Sequence, residues 1–414
     1  MLLIGSVARV RDRTITGMLQ AARLAGAWHH SRAHDFFARR RWDPDQLGLA
    51  LLDFLVTVFA QDGALRFAVD DTLFGRSGKR VWGAHYLHDG AQPEGSGQRT
   101  RWGNCWVVVV LVVSLPCLDC RPVALPVLFR LFRPKDDQHP DRPSQPELAR
   151  TLIDMILKRF PHRIVELVMD GAYASRAWRG LPDRVTVTTR MRANARVHTL
   201  PPARQPGQKG RPPLKGPKLP TLAQIAASVT FVPATITAPD GRQRTVHVHE
   251  LRCLWYTPFH TRPVKVILVR NPGTTDGFDV TIASTDAEIP AEKLLCRYDS
   301  RWTIETCNQE AKAHGVGQAR NRVQTAVQRT VPFGFLAQTI TICWYQLHGD
   351  PDADLTTRRR TAPWYRQKTT VSYADMRAAL SRELIRHEFW TQAPPMTTNP
   401  KLTQPQSPSA QAAA

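Results

Sequence analysis

Residues 106–113, Trp-Val-Val-Val-Val-Leu-Val-Val, constrain the fold more than any other stretch of this chain. The run is too short for a bilayer, which takes roughly 20 apolar residues in a helix, and it ends close to Pro116. A short, mostly β-branched apolar run of this kind reads as a buried strand.

The segments around it suit such a strand. Residues 65–69 form a short apolar run ending in Asp70 and Asp71, residues 123–132 a further strand with Pro126 marking an edge or bulge, and residues 163–169 a fourth strand ending in Asp170. Residues 185–189 make a fifth. Residues 147–159 have the periodicity of an amphipathic helix, and a helix is expected after Tyr173. The order is strand, strand, strand, helix, strand, helix, strand; the first three strands can pair through hairpins and the later ones need helical crossovers.

On either side the pattern changes. Residues 1–62 read as a helical region, with a strongly apolar helix at 47–59, the basic cluster Arg39, Arg40 and Arg41, and His29, His30 and His34 as surface histidines. Residues 201–220 are rich in Pro and Gly and carry Arg204, Lys209, Arg211, Lys215 and Lys218 with no acid, so they cannot bury a core; they read as a solvated linker or an arm along a phosphate backbone. Strand-like alternation returns at 228–231, 245–251 and 264–270, with a turn at Pro239-Asp240-Gly241, and makes residues 201–290 a basic linker and β-rich insertion. A helix is expected from about 291 to 314 and another from 331 to 344. The expected organisation is therefore α/β: a mixed five-stranded sheet with helices, interrupted by the insertion and preceded by the helical region. The core is split between 63–200 and 291–350, followed by a helical, basic stretch at 351–392 and a disordered tail at 393–414.

Charge narrows the partners. Lys and Arg number 56 against 35 Asp and Glu, a net +21, which points to a polyanion, because each cation paired with a phosphate releases a counterion. No G-x-x-x-x-G-K-[ST] phosphate loop occurs. Seven cysteines without framework spacing, and no signal-peptide pattern at the start, lead to the expectation of a reducing cytoplasm. Cys117 and Cys120 form a lone C-x-x-C without the second pair that a structural zinc needs.

Three acidic positions stand out: Asp70 or Asp71 at the end of the first strand, Asp170 at the end of the fourth, and Glu305 inside the helix at 291–314. Converging carboxylates repel unless cations neutralise them. Two Mg²⁺ ions do so and suit phosphoryl transfer, and oxygen-only ligands favour Mg²⁺ or Mn²⁺ over zinc. On a continuous helix Tyr298, Arg301, Glu305 and Lys312 fall at about 0°, −60°, −20° and −40°, one stripe about 60° wide. An acid flanked by two cations and a phenol is unlike a core face and suits a metal-binding carboxylate beside phosphate-gripping groups. A surface Arg301–Glu305 pair is the plainer reading of the same spacing.

Those four residues match Y-x2-R-x3-E-x6-K, and in this the chain resembles a large group of bacterial insertion-sequence transposases with DDE catalysis. VDDTLFGRSGKRVWGAHYLHDG at 69–90, VMDGAY at 168–173, GRPPLKGPKL at 210–219 and Arg301-Trp302 resemble the same group, and the likeness runs over about residues 15–390. The resemblance implies a ribonuclease H-like core, a β-strand insertion before the glutamate helix, two divalent metal ions, and double-stranded DNA (element ends and target) as partner of a homodimer in a synaptic complex. By the same resemblance Asp170 and Glu305 take the second and third acidic roles, and Tyr298, Arg301 and Lys312 contact DNA phosphates. For the first acid, the group's pattern of an apolar residue, Asp, a spacer and Thr favours Asp70, while an Asp directly before Thr points to Asp71. Neighbouring strand residues point to opposite faces, so only one can converge with the others. Members of the group usually have a longer N-terminal helical region, which leaves a catalytically inactive DNA-binding remnant as one alternative; a ribonuclease H-like nuclease of the same chemistry, without strand transfer, is another.

Overall fold

A computed structural model describes residues 1–9, 13–89, 100–204, 209–237, 241 and 243–386. The tail at 393–414, Pro239 and Asp240 of the expected turn, Gly90, and residues 205–208 of the basic segment lie outside the described residues.

The molecule is built on a ten-stranded mixed sheet. Strand β1 (Leu65–Gly75) lies between β3 (Thr100–Ser114), antiparallel to it, and β5 (Val165–Met169), parallel to it. On the other edge of β3 sit the short β2 (His85–His88) and the longer β4 (Pro122–Phe132), and beyond β5 lies the parallel β6 (Val185–Arg190). The five core strands foreseen from the sequence are therefore present, each close to its apolar run. The first is the clearest extension. The sequence suggested that it stops at Asp70, yet it continues to Gly75, because Asp70 and Asp71 keep their backbone pairing to Val108 and Val107. Pro126 stands where the β3–β4 register shifts, as a residue that cannot donate to the ladder must.

The valine run explains the layering. Val107, Val109, Leu111 and Val113 pack with helices α4 (Pro44–Phe59) and α5 (Gln145–Arg159); Trp106, Val108, Val110 and Val112 pack with the opposite layer. Both faces are covered, so the strand has no polar side, and Val107 through Leu111 are fully buried. At about 1.5–3 kcal/mol per buried aliphatic side chain, this strand anchors the sheet. Sequence signals set the helix starts: Asp43 caps α4 ahead of Pro44, and Ser144 with Glu147 forms a capping box on α5. Ahead of these, α1 (Leu2–Ala8), α2 (Ile15–Ala21) and α3 (His30–Ala38) form a separate small core with Leu24 and Phe37.

Several expectations change. No α-helix follows Tyr173; two 3₁₀ turns, at Gly171–Tyr173 and Arg176–Trp178, bring the chain back to β6 instead. The β-rich insertion is not a separate sheet. After α6 (Leu222–Ser228), strands β7 (Val232–Thr237), β8 (Gln243–Cys253), β9 (Val264–Arg270) and β10 (Val280–Ser284) continue the core sheet, because β10 pairs antiparallel with β6. A five-stranded sheet was thus too small. Residues 228–231 are not a strand: the Thr221–Gln224 capping box starts a helix that runs to Ser228, and β7 begins only at Val232. A short helix, α7 (Tyr256–Phe259), links β8 and β9. The basic linker is partly tied down: Thr199 N–H donates to the Pro217 carbonyl and Leu219 N–H to that of Val197, both at 3.0 Å.

The expected helix at 291–314 is two, α8 (Ala291–Asp299) and α9 (Trp302–Ala313). Between them Ser300 Oγ donates to the Arg297 carbonyl at 2.7 Å and Thr303 Oγ1 to the Ser300 carbonyl at 2.8 Å, while backbone bonds from Arg301, Thr303 and Ile304 reach back three residues. Side-chain competition of this kind tightens and bends a helix. Then come α10 (Gln324–His348), longer than foreseen, α11 (Pro351–Thr361) and α12 (Tyr373–Arg386). Among the described residues no helix is long and apolar enough to cross a membrane.

Candidate active site

Alternation along β1 sorts its two acids. Phe67 and Val69 belong to the core that includes α5, while Ala68 and Phe74 belong to the one that includes Ile304, Cys307 and Ala311 of α9. Asp70 therefore shares the α9 face and Asp71 faces away from it. The partners agree. Asp71 accepts from Cys105 Sγ and Tyr173 Oη, each at 3.3 Å. Burial raises the Asp71 carboxyl, the bonds from Cys105, Tyr173 and Gln145 oppose that, and the Asp170 charge adds a smaller upward push.

Asp70 lies in the field of Arg301 and Glu305. Burial first, then the neighbouring Asp71 charge and, more weakly, Glu305, push its carboxyl up to about 7; the Asp71 N–H and Arg301 work the other way. Asp170 directly follows β5, whose Met169 is in register with Val69, so the two aspartates stand next to each other on adjacent parallel strands. Asp170 Oδ1 accepts from Gly171 N–H at 2.7 Å, which fixes its carboxylate at that strand end.

Glu305 lies in the first turn of α9, and Arg301 caps that turn, donating from Nη1 to Glu305 Oε1 at 2.6 Å. Arg301 is buried, with its guanidinium carbon 5.5 Å from the Tyr298 ring centre and 5.2 Å from that of Trp302. Burial works against its charge, but Tyr298, Glu305 and Asp170 together outweigh it and hold its pKa above the ordinary value. Burial also raises the Tyr298 phenol, against the pull of Arg301. Arg301 is thus a cation that acts on Asp70, Asp170 and Glu305 alike. Its buried Nε has no hydrogen-bond partner among the described residues, so the guanidinium keeps a spare donor at the site.

The four-residue stripe of the sequence is only partly realised. Tyr298, Arg301 and Glu305 stand together across the α8–α9 bend, whereas Lys312 is about 10 Å further along α9. Burial lowers the Lys312 ammonium; the charges that act on it most are Asp89 and Arg101, with Asp70 a weaker influence. Cys105, Gln145 and Tyr173 around Asp71 escape sequence reasoning, and no local spacing marks them, since they come from three different elements.

Among the described residues no three of His, Cys, Asp and Glu stand close enough to hold a metal ion as they are, and Glu305 is paired with Arg301 instead. The donor chemistry nevertheless fits a hard divalent ion: Asp70, Asp170 and Glu305 offer carboxylate oxygens alone, and the half-buried Asp70, repelled by its acidic neighbours, is a group that a cation would relieve.

Comparison with known proteins gives one family. The model described as DDE superfamily endonuclease matches residues 1–260, a span that holds Asp70, Asp71 and Asp170 and ends before Tyr298, Arg301, Glu305 and Lys312. No curated protein matches the chain.

Proposed function

The chain belongs to the DDE superfamily of endonucleases, and on that premise we propose that it is a bacterial DNA transposase that cuts the ends of a mobile element and joins them to target DNA. The observation that supports this most is the single sheet face shared by Asp70 and Asp170 with Glu305 of α9, with Arg301 common to all three. The sheet order β4-β3-β1-β5-β6, three antiparallel strands followed by two parallel ones, supports a ribonuclease H-like core around that face.

In this reading Asp70, Asp170 and Glu305 are the catalytic carboxylates and the residues that hold two Mg²⁺ ions, for which Mn²⁺ can substitute. Bound there, the ions supply Lewis-acid polarisation of the phosphodiester and neutralise charge that builds on its oxygens. Arg301 and Tyr298 grip the phosphate next to the scissile bond. Lys312 holds a phosphate further along the strand.

Chemically, a water oxygen bonds to phosphorus as the bond to the 3′-oxygen breaks; one water proton ends on that oxygen, leaving a 3′-hydroxyl and a 5′-phosphate. The 3′-hydroxyl then attacks a target phosphodiester. One phosphorus–oxygen bond forms, one breaks, and the proton passes to the departing 3′-oxygen, so joining needs no external energy source. Two protomers, each acting at one end, work as a dimer on the DNA, in the bacterial cytoplasm.

The test is cleavage and joining of labelled DNA that carries the sequences flanking the gene, with Mg²⁺, comparing wild type with Glu305→Gln. The wild type cuts and joins, and the variant binds DNA but loses about 10²- to 10³-fold or more in rate, the scale of removing one strong electrostatic contributor. Equal cutting by both proteins contradicts the assignment of Glu305. Cutting without joining replaces the transposase with a nuclease of the same chemistry, and binding without cutting replaces it with an inactive remnant.

A further inference from the structure

A second, basic cleft opens where β1 ends. It has a volume of about 790 Å³ and is lined by Arg76, Arg101, Arg320 and Arg322 together with the rings of Tyr86 and Trp102; among the described residues no carboxylate lines it. It is distinct from the acid face. Gly75 stands five positions beyond Asp70 along β1, about 17 Å. Lys312, which feels both Arg101 and Asp70, lies between the two.

Each wall has a definite construction. Tyr86 and Trp102 are directly opposite each other on β2 and β3, with ring centres 5.2 Å apart. Trp102 is pinned by its indole N–H to the Gly78 carbonyl at 3.0 Å, whereas Tyr86 is 71% exposed. Arg76 donates from Nη1 to the Gly317 and Ala319 carbonyls, at 2.8 and 2.5 Å, and from Nε to Asn104 Oδ1 at 2.8 Å. Its remaining nitrogen, Nη2, is buried without a hydrogen-bond partner among the described residues, and burial lowers the guanidinium to about 10. Arg101, which meets Asp89 at 3.6 Å, lies across β1 because residue 75 is glycine: a Cβ there would stand 2.4 Å from Arg101 Nε. The loop that Arg76 holds carries the exposed Arg320 and Arg322. A second cavity of about 530 Å³ shares Thr14 and these two arginines and extends the cleft towards α2 and α3.

We propose that this cleft holds a single-stranded DNA segment, with phosphates on Arg320 and Arg322 and one unpaired base on the Tyr86 ring. The inference rests on the DNA reading above and goes beyond it. A duplex keeps its base faces stacked on one another, so an exposed aromatic ring gains nothing from it. A basic groove with an available ring is what a single strand fits, because every base has a face to stack. A frayed strand at a cut DNA end is the source of such a segment next to the acid face.

The experiment uses the full-length protein in EDTA, so that no cleavage occurs, and a labelled oligothymidylate of about 12 nucleotides, within the span such grooves cover. Fluorescence anisotropy compares wild type with Tyr86→Ala, Tyr86→Phe and the Arg320→Ala/Arg322→Ala pair, and a duplex of equal length is the control. Tyr86→Ala weakens oligothymidylate binding about 5- to 100-fold and duplex binding less than about two-fold, Tyr86→Phe binds like wild type, and the arginine pair flattens the salt dependence by roughly 1.4 in log–log slope. No binding of the oligothymidylate by the wild type, unchanged binding by the variants, or equal losses on single strand and duplex overturns the proposal. A wild type that cuts and joins while the variants bind normally removes the cleft alone. A wild type that never cuts but shows these losses removes the transposase reading and leaves the cleft.

Discussion

Glu305 and Glu310 stand five residues apart on α9 and meet opposite conditions. Glu305 has the Arg301 guanidinium at 2.6 Å, whereas burial pushes the Glu310 carboxyl up to about 7, with a Tyr373 backbone bond as the opposing influence. A carboxyl whose folded pKa lies above its unfolded one makes the fold lose stability as pH rises from about 4.5 through about 7, with the full penalty above that. Glu310→Gln should therefore stabilise the protein at pH 8 by at most about 3 kcal/mol and leave it unchanged below about pH 4.5. Denaturant midpoints at the two pH values check this, and an equal gain at both would show that charge burial is not the cause. At this scale the candidate acids were readable, because strand-end aspartates and a spaced glutamate need only local pattern. Which of Asp70 and Asp71 meets Glu305 was not: alternation says that one must turn away, and only the packing of α9 on one face and α5 on the other says which. Tyr86 and Arg322, on the order of 240 positions apart in the chain, give no local sign of sharing a cleft.

Helix α8 is held to the sheet by charges on β5 and β1. Glu166 takes Arg297 Nη2 at 2.6 Å on one oxygen and Arg66 Nε at 3.0 Å on the other, and the Arg297 and Glu166 side chains are only 11% and 15% exposed. This clamp sets where Tyr298, the next residue along α8, stands against the sheet. Without Arg297 the mostly buried Glu166 keeps only the more exposed Arg66, so Arg297→Ala should cost up to about 3 kcal/mol, and adding Glu166→Ala should recover part of that loss. Urea midpoints of the two singles and the double test it; strict additivity would mean that the clamp carries no coupling. Elements were legible where one rule governed them. The valine run had to be a covered strand. The α8–α9 bend was hidden, because Ser and Thr are common in helices and only their bonds to the Arg297 and Ser300 carbonyls reveal the break. Of the insertion strands, β8 and β9 were visible as strands and β7 and β10 were not, and strand pattern does not say which edge a strand joins; β10 joins β6.

For the whole molecule, charge is the dominant fact. A net +21, with a basic cleft beside an acidic face, makes binding to DNA a matter of released counterions. The affinity for duplex DNA should fall linearly on a log–log plot against salt, losing on the order of 10³-fold between about 50 and 200 mM for roughly six or more phosphate contacts. Anisotropy titrations across that range measure it, and a flat response would contradict a phosphate-dominated interface. Composition alone pointed to a polyanion, and the single sheet running from β2 to β7 shows how one body can present both surfaces.

The most direct test of the account compares Asp70→Asn with Asp71→Asn in the same Mg²⁺-dependent cleavage assay. Cleavage should fall about 10²- to 10³-fold or more in Asp70→Asn and stay within about ten-fold of wild type in Asp71→Asn, because only Asp70 shares a face with Glu305 and Arg301. Loss in Asp71→Asn with activity kept in Asp70→Asn would place the chemistry on the other face of the sheet and contradict the site described for this chain.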